Sequence, residues 1–408
     1  MKKYKFIDLF AGCGGLEDGF LQSGRYIDIA AVEWLKPQVN TLIRRLETKW
    51  KVKDAAERVM HFDIQRETEL FAGWDDEKFG SGKGLDYFVN KAQGIDVIIG
   101  GPPCQAYSVA GRVRDENGMR DDYRNYLFEH YISVINRYQP KLFVFENVPG
   151  MLSAMPDGTP ITDLIRRDLS ETGYEIINNI KDFALIDMSQ YGIPQTRKRV
   201  ILIGVRKDGF ENPQEVLRDF YENYLYPFKT DKVKTVKDAI GDLQSWHPVK
   251  PYKENGKNIA YESEGDSDLS WQIPRYQNER DINVFKTLAE DIESGENKYQ
   301  STDNLIKLYE QTTGKKTSVH KYHVLRKDEP STTILAHLHK DGFRFIHYDS
   351  KQARTITVRE AARIQTFADD FEFPCSMGAA YKMIGNAVPS EFARTLSVAI
   401  QEFYKKYF

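Results

Sequence analysis

At 408 residues, 41% hydrophobic and 29% charged, the chain has material for two domains, or for one large domain with a sizeable insertion. No apolar run approaches the ~18 residues of a membrane span, and the basic start, Met1-Lys2-Lys3, enters a strand-like stretch with no signal-peptide core. The net charge of −3 is unlike the basic balance of many nucleic-acid binders, although local charge governs phosphate contact.

Three cysteines (Cys13, Cys104, Cys375) make no disulfide framework, and no Cys/His cluster has zinc spacing. The expectation is a cytoplasmic protein with reduced thiols, no metal and no membrane contact.

In chain order, Lys5 to Phe10 reads as a strand, Ala11-Gly12-Cys13-Gly14-Gly15 as a glycine loop, and Leu16 to Leu21 as a helix. Strand, glycine turn and helix form a nucleotide-type cradle, because the bare backbone admits a ligand and the helix start offers N–H groups. The third glycine of the dinucleotide fingerprint is absent, so the loop alone does not decide for a cofactor. A second strand, Tyr26 to Val32, ends at Glu33-Trp34. An acid there, about 20 residues after the glycines, suits a ribose diol, and an indole can cover a base. A third strand ends near His61-Phe62-Asp63-Ile64; residues 65–93 are polar and glycine-containing and read as a surface excursion.

The fourth strand, 95–99, ends in Gly100-Gly101-Pro102-Pro103-Cys104-Gln105. The prolines exclude regular helix at their own positions, so Cys104 lies in a rigid loop at a strand's carboxyl end, where open α/β sheets bind ligands. An inert buried cysteine is the plain alternative. The stretch onward to Arg124 holds four arginines and reads as a mobile loop suited to a polyanion, or as a plain solvated one. A helix, Tyr126 to Tyr138, and a buried strand, 141–145, follow, the strand ending at Glu146-Asn147. Residues 161–172 resemble a helix. Tyr174 to Ile180 and Arg199 to Val205 read as a hairpin, with Gln195-Thr196-Arg197-Lys198-Arg199 between them. The alternation gives an α/β fold, a largely parallel sheet with helices on both faces.

From about 207 to 353 apolar periodicity weakens, which marks a second domain. Its segment 315–327 carries five cations and no acid, which fits phosphate contact or a solvated face. Thr357 and Glu360 have the spacing of a capping box. A closing amphipathic helix from Ser390 to about Tyr404 belongs to the outer layer of the first domain, which makes the second domain an insertion.

A thiol, a carboxylate and guanidinia at adjacent loops can activate an inert pyrimidine: sulfur attacks a ring carbon while an acid holds the ring nitrogen. Phe6 to Gly15, Gly101 to Ser108, Phe145-Glu146-Asn147-Val148, Gln195 to Arg199, Arg359 to Arg363 and Gly385-Asn386-Ala387-Val388-Pro389 closely resemble, in order, the motifs of the DNA (cytosine-5) methyltransferases. The resemblance spans nearly the whole chain outside its middle third. It implies a prokaryotic restriction-modification enzyme with a Rossmann-like methyltransferase sheet and a smaller inserted target-recognition domain. The implied divisions are 1–206 (cofactor-binding catalytic domain), 207–353 (target recognition), 354–382 (hinge) and 383–408 (catalytic return).

The implied cofactor is S-adenosylmethionine. Phe10, Ala11, Gly12, Cys13, Gly14 and Gly15 would line its methionine end, Glu33 would hold the ribose and Trp34 the adenine face. Asp63 and Ile64 would meet the adenine edge; Pro103, Leu127, Asn386 and Val388 match further family contacts. Cys104 would attack carbon 6 of a cytosine flipped from duplex DNA, Glu146 would bind ring nitrogen 3 and the exocyclic amine, and Arg197 would orient the base and Glu146. Gln105, Ser108, Arg112, Arg199, Lys315, Lys316, Lys321 and Arg326 are the candidate DNA contacts, with the loop from Ser108 to Arg124 closing over the duplex. Cys13 and Cys375 are bystanders, and the enzyme is expected to act as a monomer. Two rivals stand beside this reading. A transfer-RNA methyltransferase of the same family typically carries Thr where this chain has Ser108, and a Cys-Phe-Thr motif that the insertion lacks. A non-catalytic paralogue should have lost its nucleophile or its acid, whereas Cys104, Glu146 and Arg197 are all present.

Overall fold

The computed structural model describes residues 3–103, 126–155, 158–265, 268–320, 322–340 and 342–408. Cys104, Gln105, Ser108, Arg112 and Lys321, and the whole Ser108–Arg124 loop, lie outside the described residues. Two compact units are present: Met1–Gly192 with Arg197–Asp231 and Ala387–Phe408, and Ile193–Thr196 with Lys232–Asn386.

The first unit is built on β1 (Tyr4–Leu9), α1 (Gly15–Gln22), β2 (Tyr26–Glu33), α2 (Lys36–Thr48) and β3 (Val59–His61). Then come α3 (Glu67–Ala72), β4 (Trp74–Asp76), β5 (Gly80–Gly82), α4 (Gly84–Ala92) and β6 (Val97–Gly100). After the undescribed stretch follow α5 (Leu127–Tyr138), β7 (Leu142–Asn147), α6 (Ile161–Glu171), β8 (Tyr174–Ile176), β9 (Leu185–Asp187) and β10 (Lys198–Arg206).

The main sheet has the order β3-β2-β1-β6-β7-β10-β8, and β9 also pairs with β10. The pairs from β3 to β7 are parallel; β10 is antiparallel to β7, β8 and β9. Strand order reverses between β1 and β6, the position where such sheets open a ligand crevice. Gly100 permits the close approach there, since a Cβ would stand 2.3 Å from the Leu9 carbonyl oxygen. The sheet is buried on both faces, with Phe6, Ile7, Ile98, Ile99, Phe143 and Val144 fully enclosed, each stabilising by roughly 1.5–3 kcal/mol.

The closing helix, Ser390–Tyr407, lays Phe392, Leu396, Ile400 and Phe403 into this unit, as its apolar stripe requires. Gly19 of α1 lets the two helices meet, because a Cβ would lie 2.3 Å from that of Ala393. The weakening of periodicity after 207 does not mark the unit boundary. Leu217, Phe220 and Tyr221 are buried, and the Tyr221 hydroxyl donates to the Ile201 carbonyl at 2.8 Å, which ties residues 207–231 to β10. Residues 65–93 are also more than a surface excursion, since Leu70, Phe71, Trp74, Leu85 and Phe88 are buried.

Two acids lie inside this core. Asp8 and Glu17 are almost fully enclosed, and none of their carboxyl oxygens has a hydrogen-bond partner among the described residues. Burial, reinforced by neighbouring acids (Glu33 for Asp8; Asp28, Asp8 and Asp18 for Glu17), pushes both well above the carboxylate range. The folded state therefore holds protons that the unfolded chain releases. Stability falls as pH rises from the unfolded pKa towards the raised folded one, by about 1.4 kcal/mol per pH unit for each group. Glu17→Gln, which keeps the shape and removes the titration, should raise the melting temperature at pH 8, leave it nearly unchanged at pH 4, and flatten the profile measured by scanning fluorimetry between them.

The second unit contains a ribbon, β11 (Trp246–Glu254) with β12 (Lys257–Ser263), then α7 (Glu279–Glu293) and α8 (Thr302–Thr313), then α9 (Val358–Ile364) and α10 (Met377–Asn386). Its core joins Ala260, Tyr261, Phe285, Leu288, Tyr322 and Ile346. The regular helices α7 and α8 stand in a region whose sequence pattern reads as irregular. Thr357 and Glu360 form the expected capping box. The segment expected to be a hinge, 354–382, packs inside this unit; the Tyr381 hydroxyl, for example, donates to the Ile356 carbonyl at 2.7 Å.

Candidate active site

The glycine loop between β1 and α1 bends through left-handed conformations at Phe10, Gly12 and Gly14. Only glycine takes such angles without cost, and a non-glycine residue there marks a functional constraint. A Cβ on Gly12 would meet nothing within 4 Å, so its backbone borders open space. Gly15 is packed differently: a Cβ would stand 2.5 Å from the Val388 carbonyl oxygen, which seats residues 387–388 against the start of α1. Among the described residues no side chain caps that helix start. An open cradle with uncapped N–H groups fits an anionic or carboxylate-bearing ligand. Ala11 and Cys13 are buried within the loop.

Glu33 ends β2 and locks the cradle. One carboxylate oxygen accepts from Gly12 N at 2.9 Å and the other from Leu35 N at 2.7 Å. Burial raises its pKa and these backbone donors oppose the rise. Each oxygen keeps a second lone pair for a ligand hydroxyl. Trp34, beside it, is 45% exposed, an unusual state for an indole at a strand end and a suitable one for stacking.

What holds Trp34 comes from a turn 45 positions along the chain and is not legible at the indole itself. The β4–β5 hairpin places Phe79 5.7 Å from the indole and the Lys78 ammonium 4.4 Å from its centroid. Phe79 also packs on His61 and Phe62, and Asp76 accepts from the backbone N–H groups of Lys78 and Phe79, which fixes the turn. The signal was the Asp76-to-Gly80 turn with an aromatic inside it. Asp63 stands at the end of β3 accepting from Gln65 N at 3.1 Å, and Ile64 is buried. Leu127 is buried at the start of α5, a helix anchored by Tyr131, whose hydroxyl donates to the Val144 carbonyl at 2.7 Å.

The chemical half lies at the ends of β6 and β7. Asn147 donates from its amide to the Pro102 carbonyl at 3.3 Å, which fixes the double-proline turn. A Cβ on Gly101 would stand 2.7 Å from Glu146 Oε2, so the chain just before Cys104 passes directly over that carboxylate. Glu146 is set by the pairing of β7 with β10, opposite Ile201. Its Oε1 meets the Nε of Arg199 at 3.0 Å, with both side chains only about one-tenth exposed. The arginine on the acid is thus Arg199, expected among the DNA contacts, whereas Arg197 is fully buried and donates to the Ala387 carbonyl at 2.8 Å. Burial, with the like charge of Arg199, pushes the Arg197 guanidinium down from its ordinary value, and Glu146 opposes this. Residues 387–388 therefore touch both α1 of the cradle and Arg197.

Pro103 is half-buried, and Val388 is buried. Asn386 is exposed at the end of α10 in the second unit, where Lys315 and Lys316 are also exposed after α8. Arg326 stands 3.9 Å from Glu329. A direct check on the Glu146 geometry is Gly101→Ala: the new methyl displaces the carboxylate by a fraction of an ångström. This should lower kcat by roughly 10- to 100-fold, with the cofactor KM unchanged, in steady-state methyl transfer.

The mostly parallel sheet, the uncapped glycine cradle and the acid–guanidinium pair at adjacent strand ends define an α/β methyltransferase fold. A protein described as a DNA modification methyltransferase encoded within an E. coli prophage shares it, with a TM-score of 0.61 at 22% identity over 99% of this chain and 100% of that one. The family model for C-5 cytosine-specific DNA methylases matches residues 4–402, and the chain belongs to that family. The chain is 32% identical to the type II methyltransferase M.Bpa9945I of Bacillus paralicheniformis, over 77% of this chain and 72% of that protein. It is 30% identical to the type II methyltransferase M.NgoPII of Neisseria gonorrhoeae, over 98% and 95%. The protein is a DNA (cytosine-5) methyltransferase.

Proposed function

We propose that this enzyme methylates carbon 5 of a cytosine flipped out of one specific duplex DNA sequence, and that it protects host DNA against a cognate restriction endonuclease. The observation that carries the reading is the Glu146–Arg199 pair under Gly101, three residues before the only cysteine of the double-proline turn. S-adenosylmethionine, when bound, supplies the electrophilic methyl group. The open backbone at Gly12, the Glu33 carboxylate and the half-exposed Trp34 would hold its methionine, ribose and adenine parts.

The Cys104 thiolate adds to carbon 6, forming a carbon–sulfur bond as the ring's double-bond pair shifts to make carbon 5 nucleophilic. Glu146 holds ring nitrogen 3 and the exocyclic amine through this step, while Arg199 fixes the carboxyl group and Arg197 anchors the neighbouring strand start. Carbon 5 would take the methyl group as the methyl–sulfur bond of the donor breaks, its electron pair leaving with the sulfur as a neutral thioether. Loss of the carbon-5 proton then restores the ring and expels the thiolate. Extruding the base costs a few kcal/mol, offset by contacts to the duplex. The type II methyltransferases among the relatives support the restriction-modification role.

The test is bisulfite sequencing of duplex DNA treated with the purified protein and S-adenosylmethionine, beside a transfer-RNA arm. Protection of one cytosine in one recurring site, abolished by Cys104→Ser, is the expected result. Methylation of RNA alone, or full activity in the Cys104→Ser variant, would overturn the reading.

A further inference from the structure

We propose that the tip of the β11–β12 ribbon is the element through which this methyltransferase reads base edges in the major groove of its target duplex. The proposal rests on the assignment of duplex DNA as substrate.

The ribbon has two distinct halves. Its base is anchored: Ala260 and Tyr261 are buried in the second unit's core, and the Tyr261 hydroxyl donates to the Ala353 carbonyl at 3.0 Å. Its tip packs on none of the described residues outside the ribbon, with Tyr252, Lys253, Glu254, Lys257 and Asn258 all exposed. A bare two-stranded ribbon is at best marginally stable in water. This one is kept in register by its turn. Asn255 and Gly256 both have positive φ, 48° and 78°, the signature of the tight two-residue hairpin that Asn-Gly favours. Lys253 therefore lies directly opposite Asn258, and Glu254 opposite Lys257.

The tip does not suit addition of a further strand. Pairing register shifts between Pro248 and Tyr252, and both Pro248 and Pro251 lack the N–H a neighbouring strand would need. It does suit a polyanion. Lys250, Lys253 and Lys257 outnumber the two acids beside Tyr252, Glu254 and Glu262, and none of the three is in an ion pair among the described residues. A two-stranded ribbon fits the major groove, which is about 12 Å wide. Lys253 and Asn258, cross-strand neighbours on one face, are the types that read guanine and adenine edges, leaving Lys250 and Lys257 for phosphates.

The experiment uses the full chain with Lys253→Ala, Asn258→Ala and Lys250→Ala, all at exposed positions. Readouts are bisulfite sequencing on a randomised duplex library, kcat/KM on the wild-type site at several salt concentrations, and calorimetric cofactor binding. Lys253→Ala and Asn258→Ala should each lower kcat/KM by about 5- to 150-fold and relax the site at one base position, with cofactor affinity unchanged. Lys250→Ala should weaken all sequences alike and reduce the salt slope by about one. An unchanged site and unchanged kcat/KM in the first two variants would overturn the ribbon's role while leaving the enzyme's activity intact. So would a uniform loss with no relaxation, or a dimer that dissociates on the same substitutions. A wild-type protein that marks no duplex would instead overturn the substrate assignment beneath the proposal.

Discussion

Glu146→Gln should lower methyl transfer by about 10²–10⁴-fold and leave cofactor affinity unchanged, because a positioned acid contributes on that scale. The side chain is fixed from three directions. Pairing of β7 with β10 sets its backbone, Arg199 holds Oε1 at 3.0 Å, and Gly101 crosses at Oε2. Glutamine keeps the volume and the packing under Gly101. It loses the charge that balances Arg199 and presents an amide where ring nitrogen 3 and the exocyclic amine would meet a carboxyl group.

The cradle at Gly12, Glu33 and Trp34 shares no hydrogen bond with Glu146 among the described residues, so calorimetric titration with the cofactor should not change. Single-turnover transfer of a tritiated methyl group reads the loss directly. Arg199→Lys should lose rate as well, since an ammonium does not reproduce the Nε geometry on the carboxylate. Unchanged single-turnover rates in Glu146→Gln would remove the acid from the chemistry.

What the sequence shows of this site is what is local. β1, the glycine loop, β2 ending at Glu33, and β6 ending at the double proline are each defined by neighbours within a dozen residues. All of them stand where periodicity and glycine placement put them. The choice between Arg197 and Arg199 is not local. Two residues apart, they share the parity of an extended chain, and only the antiparallel pairing of β10 with β7 decides which meets Glu146. The wall around Trp34 was hidden for a related reason, since Phe79 reaches the indole from 45 positions along the chain. The unit boundary at Asp231 depends on Leu217, Phe220 and Tyr221 packing on a strand rather than on any change in composition.

The largest stability effect is expected in the second unit, at Arg354 and Glu360. Their side chains are each about 1% exposed and joined by two parallel hydrogen bonds of 2.7 and 2.6 Å. Burial alone would raise the Glu360 pKa, but the Arg354 charge and hydrogen bond, with the Thr357 N–H, bring it down to about 2. His347 nearby is held at about 4 by burial and Arg354, so it is neutral at pH 7. Glu360→Gln or Arg354→Met leaves one buried charge without its partner, which typically costs about 3–5 kcal/mol. That is a large share of the roughly 5–15 kcal/mol that hold a domain folded.

The double replacement Arg354→Met with Glu360→Gln removes both charges and should be less destabilised than either single variant. Because the folded pKa of Glu360 lies below its ordinary 4.5, its contribution is complete above that value. The contribution then fades as pH falls towards 2, so the wild type should lose more stability over that window than Glu360→Gln, which keeps only the acid-side loss from charging buried His347. Urea denaturation of the four proteins at pH 7 and at pH 3 measures both expectations. Single variants within about 0.5 kcal/mol of wild type, a change typical of an exposed surface site, would show that this pair is not what holds the unit together.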